Sequence, residues 1–149
     1  MDELDIDRDA LLRTFLAEAE EIFVRMEHGL VSLEARPDDD EILHGLFRDA
    51  HTLKGSAGLV AFDAVRDLAH DLESVLERLR QRRLGVSDRL VTLLLRSVDV
   101  LRGAVVEGAA GSTDASEAIR SFRVRLAEAA QGGAAVRIDA TYTTPYEFS

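Results

Sequence analysis

Apolar residues along the chain recur every three to four positions in successive stretches, the spacing that lays them on one face of an α-helix. Leu12, Phe15, Leu16, Ala19, Ile22, Phe23, Met26, Leu30 and Leu33 predict a first helix over residues 9–35, with an acidic start and a stop near Pro37. Asp38, Asp39 or Asp40 can then accept backbone N–H groups at the head of a second helix, which carries Ile42, Leu43, Leu46, Phe47, Ala50, Leu53 and Ala57. After the apolar segment Leu59 to Phe62, Asp63 is the expected cap of a third helix with Val65, Leu68, Ala69, Leu72, Val75, Leu76 and Leu79 on its inner face. The connection is short, so the second and third helices should be antiparallel neighbours.

The third helix is expected to end in Arg78, Arg80, Arg82 and Arg83, with Gly85 just past it. These cations serve either the helix end or a basic docking patch. Ser87 is the expected cap of a fourth helix, the most apolar of the chain and so central to the core. Gly108, Gly111 and Ser112 break the pattern, and Thr113 or Asp114 restarts it for an outer fifth helix with Ile119, Phe122, Val124, Leu126 and Ala130. From residue 132 the character changes. Val136, Ile138 and Ala140 alternate with polar residues, followed by Tyr142, Tyr146 and Phe148, which leaves a linker, an extended segment or the start of another domain open.

Composition supports an all-α reading: 46% of the 149 residues are hydrophobic but only 5% aromatic. That length suits one domain with a real core. A formal net charge of −10 argues against nucleic acid as a partner, because phosphate backbones attract basic surfaces. The absence of cysteine excludes disulfides and thiol chemistry. Met1 to Asp5 has no basic or apolar leader character, and no apolar run approaches about 18–20 residues, so a cytoplasmic domain without membrane insertion is expected.

The chemistry concentrates in Ala50-His51-Thr52-Leu53-Lys54-Gly55-Ser56-Ala57-Gly58. A glycine inside a helix costs roughly 0.5–1 kcal/mol relative to alanine, so two of them here suggest that something approaches the backbone closely. Helical side chains lean toward the N-terminus, so the residue four positions on is the one that would shade His51, and that residue is Gly55. The imidazole should stand uncovered, with Lys54 about one turn away. An antiparallel pairing about a turn near residue 61 brings Glu73, and His70 three residues before it, within reach as the acceptor that fixes the imidazole tautomer. A neutral imidazole so held can act as a nucleophile toward phosphorus.

Other chemistries fit less well. Glu41 and His44 have the Glu-x-x-His spacing of di-iron bundles, but His70 and Glu73 run in reverse order, so no metal ligands are assigned; a metal-binding bundle and a purely structural bundle that mediates assembly stand as the alternative readings. Ser56 lies about 140° round the helix from His51, which argues against a serine–histidine pair. His28 has no convergent partner in the sequence. The arginine cluster lacks an aromatic stacking platform for nucleic acid.

The run AHTLKGSAG, followed by an apolar segment and a His-x-x-Glu on the next helix, resembles the histidine-containing phosphotransfer (HPt) domain, most closely that of CheA-type chemotaxis histidine kinases. The resemblance spans roughly residues 5–130. It implies an antiparallel four-helix bundle with an additional fifth C-terminal helix over residues 1–131, and a linker or tail over 132–149. It implies that His51 is phosphorylated, that Lys54 offsets phosphoryl charge, that Gly55 provides clearance, and that Glu73 orients the imidazole with His70 beside it. Ser56 departs from the glycine found in many relatives. A receiver domain of a response regulator would dock around His44, Phe47, Gly55 and Gly58, with Phe47 either a core residue or an apolar anchor. ATP and Mg²⁺ would belong to partner domains, a separate kinase domain and the receiver, with no cofactor held here. The chain would be substrate and phosphoryl donor in two-component signalling, not catalytic alone.

Overall fold

A computed structural model describes residues 3–111 and 116–132, and among them every regular element is an α-helix: α1 (Glu3–Ala35), α2 (Asp40–Leu59), α3 (Asp63–Arg80), α4 (Asp88–Ala109) and α5 (Ser116–Ala130). The first helix begins well before residue 9, where the apolar pattern starts. Its acidic opening turns are helical. The expected restart at Thr113 or Asp114 and the segment beyond residue 132 lie outside the described residues.

The helices form an antiparallel bundle in which α1 packs on α2 and α4, and α3 packs on α2 and α4. The fifth helix lies in the outer groove between α3 and α4, burying Ile119, Phe122, Leu126 and Ala129. Each helix supplies a stripe to one continuous core. On α2 that stripe is Leu43, Leu46, Ala50, Leu53 and Ala57, a three-and-four alternation that leaves the residues to either side at the seams. His51 follows Ala50 and so falls at the edge shared with α3.

The longest buried stripe belongs to α4, as its apolar run requires, and it also buries Arg96 and Ser97. Ser97 Oγ donates to the Leu93 carbonyl, 2.8 Å away. Ion pairs fasten the outside: Arg25 to Asp49 joins α1 to α2, Arg102 to Glu20 and Glu27 joins α4 to α1, and Arg123 to Asp71 joins α5 to α3. Exposed pairs of this kind contribute about 0–1 kcal/mol each, so the apolar stripes carry the fold.

Helix ends depart from expectation at two places. Asp39 caps α2 through the Glu41 and Ile42 amides, and Ser87 caps α4 through the Leu90 amide, as the sequence suggests. Asp63, however, is the first helical residue of α3, and its N-cap is Phe62, which makes no side-chain capping bond. Packing explains the difference. The Phe62 ring meets Phe15 edge-on at 5.3 Å and lies against Gly108, where an added Cβ would come within 2.8 Å of it. At the end of α3 the left-handed residue is Arg82 (φ +61), not Gly85, because the Arg83 amide returns to the Arg78 carbonyl and closes the helix there. Arg82 is held in place by its guanidinium, which reaches the Asp38 carbonyl (3.0 Å) and the Asp40 carboxylate (2.5 Å) at the head of α2.

The turn between α2 and α3 sets the register of the site. Ala61 is left-handed (φ +61), with the Phe62 amide on the Ala57 carbonyl and the Ala61 amide on the Gly58 carbonyl. A Cβ in that conformation is strained, so Ala61→Gly should raise stability by about 0.5–1 kcal/mol. Gly108→Ala should lower it by about 1–3 kcal/mol, since the wedged Phe62 ring must shift. Thermal and urea unfolding of the two variants would measure both signs; equal stability would mean that the turn and its aromatic plug are not tightly set.

Candidate functional site

The seam between α2 and α3 gathers four of the residues singled out by the sequence. Glu73 follows the buried Leu72 on α3, so its side chain leaves the core stripe toward α2, and only 12% of it is exposed. One carboxylate oxygen meets His51 Nδ1 at 2.5 Å, and the other accepts from Lys54 Nζ at 2.9 Å. Ala50, Ala57 and Ala69 are fully buried small residues on these helices; small contact residues permit close axes, which keeps so short a side chain within reach. His70 stands at the margin, its Nδ1 3.8 Å from Glu73 Oε1, an ion-pair distance rather than a hydrogen bond.

The charge state of Glu73 fixes the protons. Burial pushes its carboxyl up, but the hydrogen bonds from Lys54 and His51, with the charges behind them, outweigh that, and the group titrates below the ordinary value of 4.5. An ionised carboxylate accepts only, so the proton between the two groups belongs to His51 Nδ1. The other ring nitrogen, Nε2, then carries the lone pair, makes no hydrogen bond among the described residues, and sits on a side chain that is 63% exposed. A nucleophile poised toward solvent is the result.

The positions expected to meet a partner divide. Among the described residues nothing packed against Gly55 lies within 4 Å of where its Cβ would stand, so the surrounding fold does not require glycine there. At Gly58 the same atom would touch only the Arg66 side chain, at 3.7 Å. His44 is exposed two turns before His51, in a pocket of about 400 Å³ shared with Asp40, Glu77, Arg80 and Gln81, and away from the His51 cluster. Phe47 is half-buried, packed on the core and stacked on the His51 ring. Ser56 donates to Glu18 on α1, as its position round the helix from His51 requires. His28 is exposed on α1.

Two features escaped the sequence. Lys54 lies against Glu73 rather than standing alone. Arg80 lies over the Phe47 ring, its guanidinium carbon 4.6 Å from the ring centroid. The symmetric pairing that joins residue 51 to 73 also joins 44 to 80, which was the available signal for Arg80. With Arg82 engaged at the head of α2, the arginine cluster divides into local roles at two of its four positions.

Residues 10–104 match the family model described as the Hpt domain. The chain is 33% identical over 125 residues to the chemotaxis protein CheA of Treponema pallidum, covering 84% of this chain but 15% of that protein. It is 33% identical over 100 residues to the sensor histidine kinase CheAY of Helicobacter pylori, covering 67% of this chain and 12% of that one. The chain thus spans a small fraction of the length of these relatives. The solution structure of the histidine phosphotransfer domain of CheA superposes with a TM-score of 0.70 at 30% identity, over 78% of this chain and 89% of that one. The phosphorylated P1 domain of CheA3 from R. sphaeroides, crystallised in complex with CheY6, shares the fold with a TM-score of 0.68 at 23% identity, over 81% of this chain and 98% of that one.

Because the folded-state value of Glu73 lies below its unfolded one, the group contributes stability above pH 4.5, and the contribution is lost as pH falls through the folded value. Glu73→Gln should therefore cost about 1–2 kcal/mol at neutral pH. Urea unfolding across a pH series should show the gap to wild type narrowing below about pH 5. A gap that stays constant down that series would mean the carboxylate is not charged in the fold.

Proposed function

Since the chain belongs to the Hpt domain family, we propose that His51 carries a phosphoryl group between a separate ATP-binding kinase domain and an aspartate of a response-regulator receiver domain. The observation that carries this reading is the Nδ1 bond to ionised Glu73, which leaves Nε2 as the nucleophile. In the first step Nε2 attacks the γ-phosphorus of ATP, the bond from that phosphorus to the bridging oxygen breaks, and ADP leaves with the electron pair. The imidazole becomes cationic with its proton still on Nδ1, and Glu73 stabilises that charge across the 2.5 Å contact. In the second step a receiver carboxylate oxygen attacks the phosphorus, the bond to Nε2 breaks, and the electron pair returns to a neutral ring. Lys54 orients the carboxylate and places a cation beside the transferring group; His70 adds a second polar group at the margin.

The kinase domain with its ATP and Mg²⁺, and the receiver, are partners of this chain in the reading, which takes residues 1–131 as the phosphotransfer unit and 132–149 as a linker or tail. The receiver is supported by the fold shared with a P1 domain crystallised with CheY6. Docking would use the α2 face at Phe47, Gly55 and Gly58, where Gly55 leaves open space over the backbone, with His44 at its edge. Among the described residues no helix is long and apolar enough to cross a membrane, and we place the domain in the cytoplasm with the kinase it serves.

Incubation with a CheA kinase domain and ATP should add one acid-labile phosphoryl group. His51→Gln should accept none while keeping its helicity; a mutant that still labels would overturn the assignment. Gly55→Ala tests the clearance. With no neighbour within 4 Å it should stabilise the helix by about 0.5–1 kcal/mol yet slow transfer to the receiver, and transfer at the wild-type rate would remove Gly55 from the docking surface.

A further inference from the structure

We propose that Phe47, backed by Arg80, is a positioning residue that sets the plane of the His51 imidazole, a role that deepens the phosphotransfer reading and rests on it. Glu73 grips the ring at a single atom, Nδ1. One hydrogen bond fixes the tautomer but leaves the ring able to tilt about that contact, and a side chain that is 63% exposed gains little restraint from packing. Phe47, one turn earlier on α2, presents the missing surface. Its ring lies 6.2 Å from that of His51, with the planes only 15° apart, inside the range of offset stacking.

The Phe47 ring is itself braced. On α3 the Arg80 guanidinium carbon stands 4.6 Å from its centroid, and Arg80 Nη1 donates to Glu77 Oε2 at 2.7 Å. The second Glu77 oxygen accepts from Gln81, 3.2 Å away, so the carboxylate that anchors Arg80 is held on both sides. Arg80 and His51 therefore both lie against the Phe47 ring, a contact separate from the grip of Glu73. One contact chooses which nitrogen reacts, and the other decides where its lone pair points.

Direction matters because the Nε2 lone pair lies in the ring plane. Attack on phosphorus is fastest when that lone pair is in line with the bond being broken, so tilting the ring removes productive encounters without altering the proton on Nδ1. A docking anchor would behave differently, since it acts through the affinity of the partner.

The experiment uses phosphoramidate, a small donor that needs no protein docking surface. Nε2 attacks its phosphorus, the phosphorus–nitrogen bond breaks, and the leaving nitrogen, already protonated in the zwitterion, departs as ammonia. Phe47→Leu should slow His51 labelling about five- to tenfold, Phe47→Tyr should restore it to within about twofold, and Arg80→Gln should slow it about two- to threefold. NMR of the unphosphorylated chain supplies the second readout. In Phe47→Leu the His51 ring protons should lose the ring-current shift from Phe47, while the ¹⁵N signature of a protonated Nδ1 is retained. If Phe47→Leu fails to fold, Arg80→Gln, which removes no core side chain, carries the labelling readout, and a partial change in the His51 ring-proton shifts reports the loosened stack.

A wild-type labelling rate for Phe47→Leu with the small donor overturns the proposal, and a raised KM for the receiver alone would then make Phe47 a docking anchor. Absence of any wild-type label on His51 would strike the phosphotransfer reading instead. The ring-proton shifts would still decide whether the stack orients the imidazole.

Discussion

Everything at the site depends on one carboxylate kept ionised at the seam of two helices. Glu73 is nearly out of solvent, and burial alone would favour its neutral form; two donors from α2 reverse that preference. An ionised acceptor accepts and never donates, so the imidazole has one tautomer available rather than two. The reactivity of an exposed ring is thus decided on its buried side. Lys54 contributes by holding the carboxylate at its other oxygen.

That carboxylate is useful only if α2 and α3 keep their register, and much of the remaining structure serves this. Ala61 in a left-handed turn, Phe62 wedged between Phe15 and Gly108, and a strip of buried alanines bring the helices close at a defined offset. A shift of one residue along α3 would rotate Glu73 by about 100° and take it out of the seam. The outer ion pairs and α5 stabilise the frame without touching the His51 ring.

The sequence showed the helices and the His51–Glu73 pairing because both follow from periodicity and from the short α2–α3 connection. It misplaced the caps where packing overrides local preference. Asp63 has the right chemistry for an N-cap, but the Phe62 ring packs on Phe15 and Gly108, and Gly85 has the right backbone freedom, but α3 closes sooner on Arg82. It did not show Arg80 over Phe47, since a long side chain at a helix end has many rotamers and several local partners. The openness at Gly55 was legible as a missing side chain, whereas the indifference of its own fold to that position required the structure.

The grip of Arg82 on the head of α2 has a consequence for how the molecule breathes. The α2–α3 pair is joined by the backbone turn at one end and clasped by Arg82 on Asp38 and Asp40 at the other, so it forms a ring of contacts rather than a hinge. Fraying from either tip meets a closed end. His51 and Glu73 lie between these two tied ends, away from the helix termini where local opening costs least.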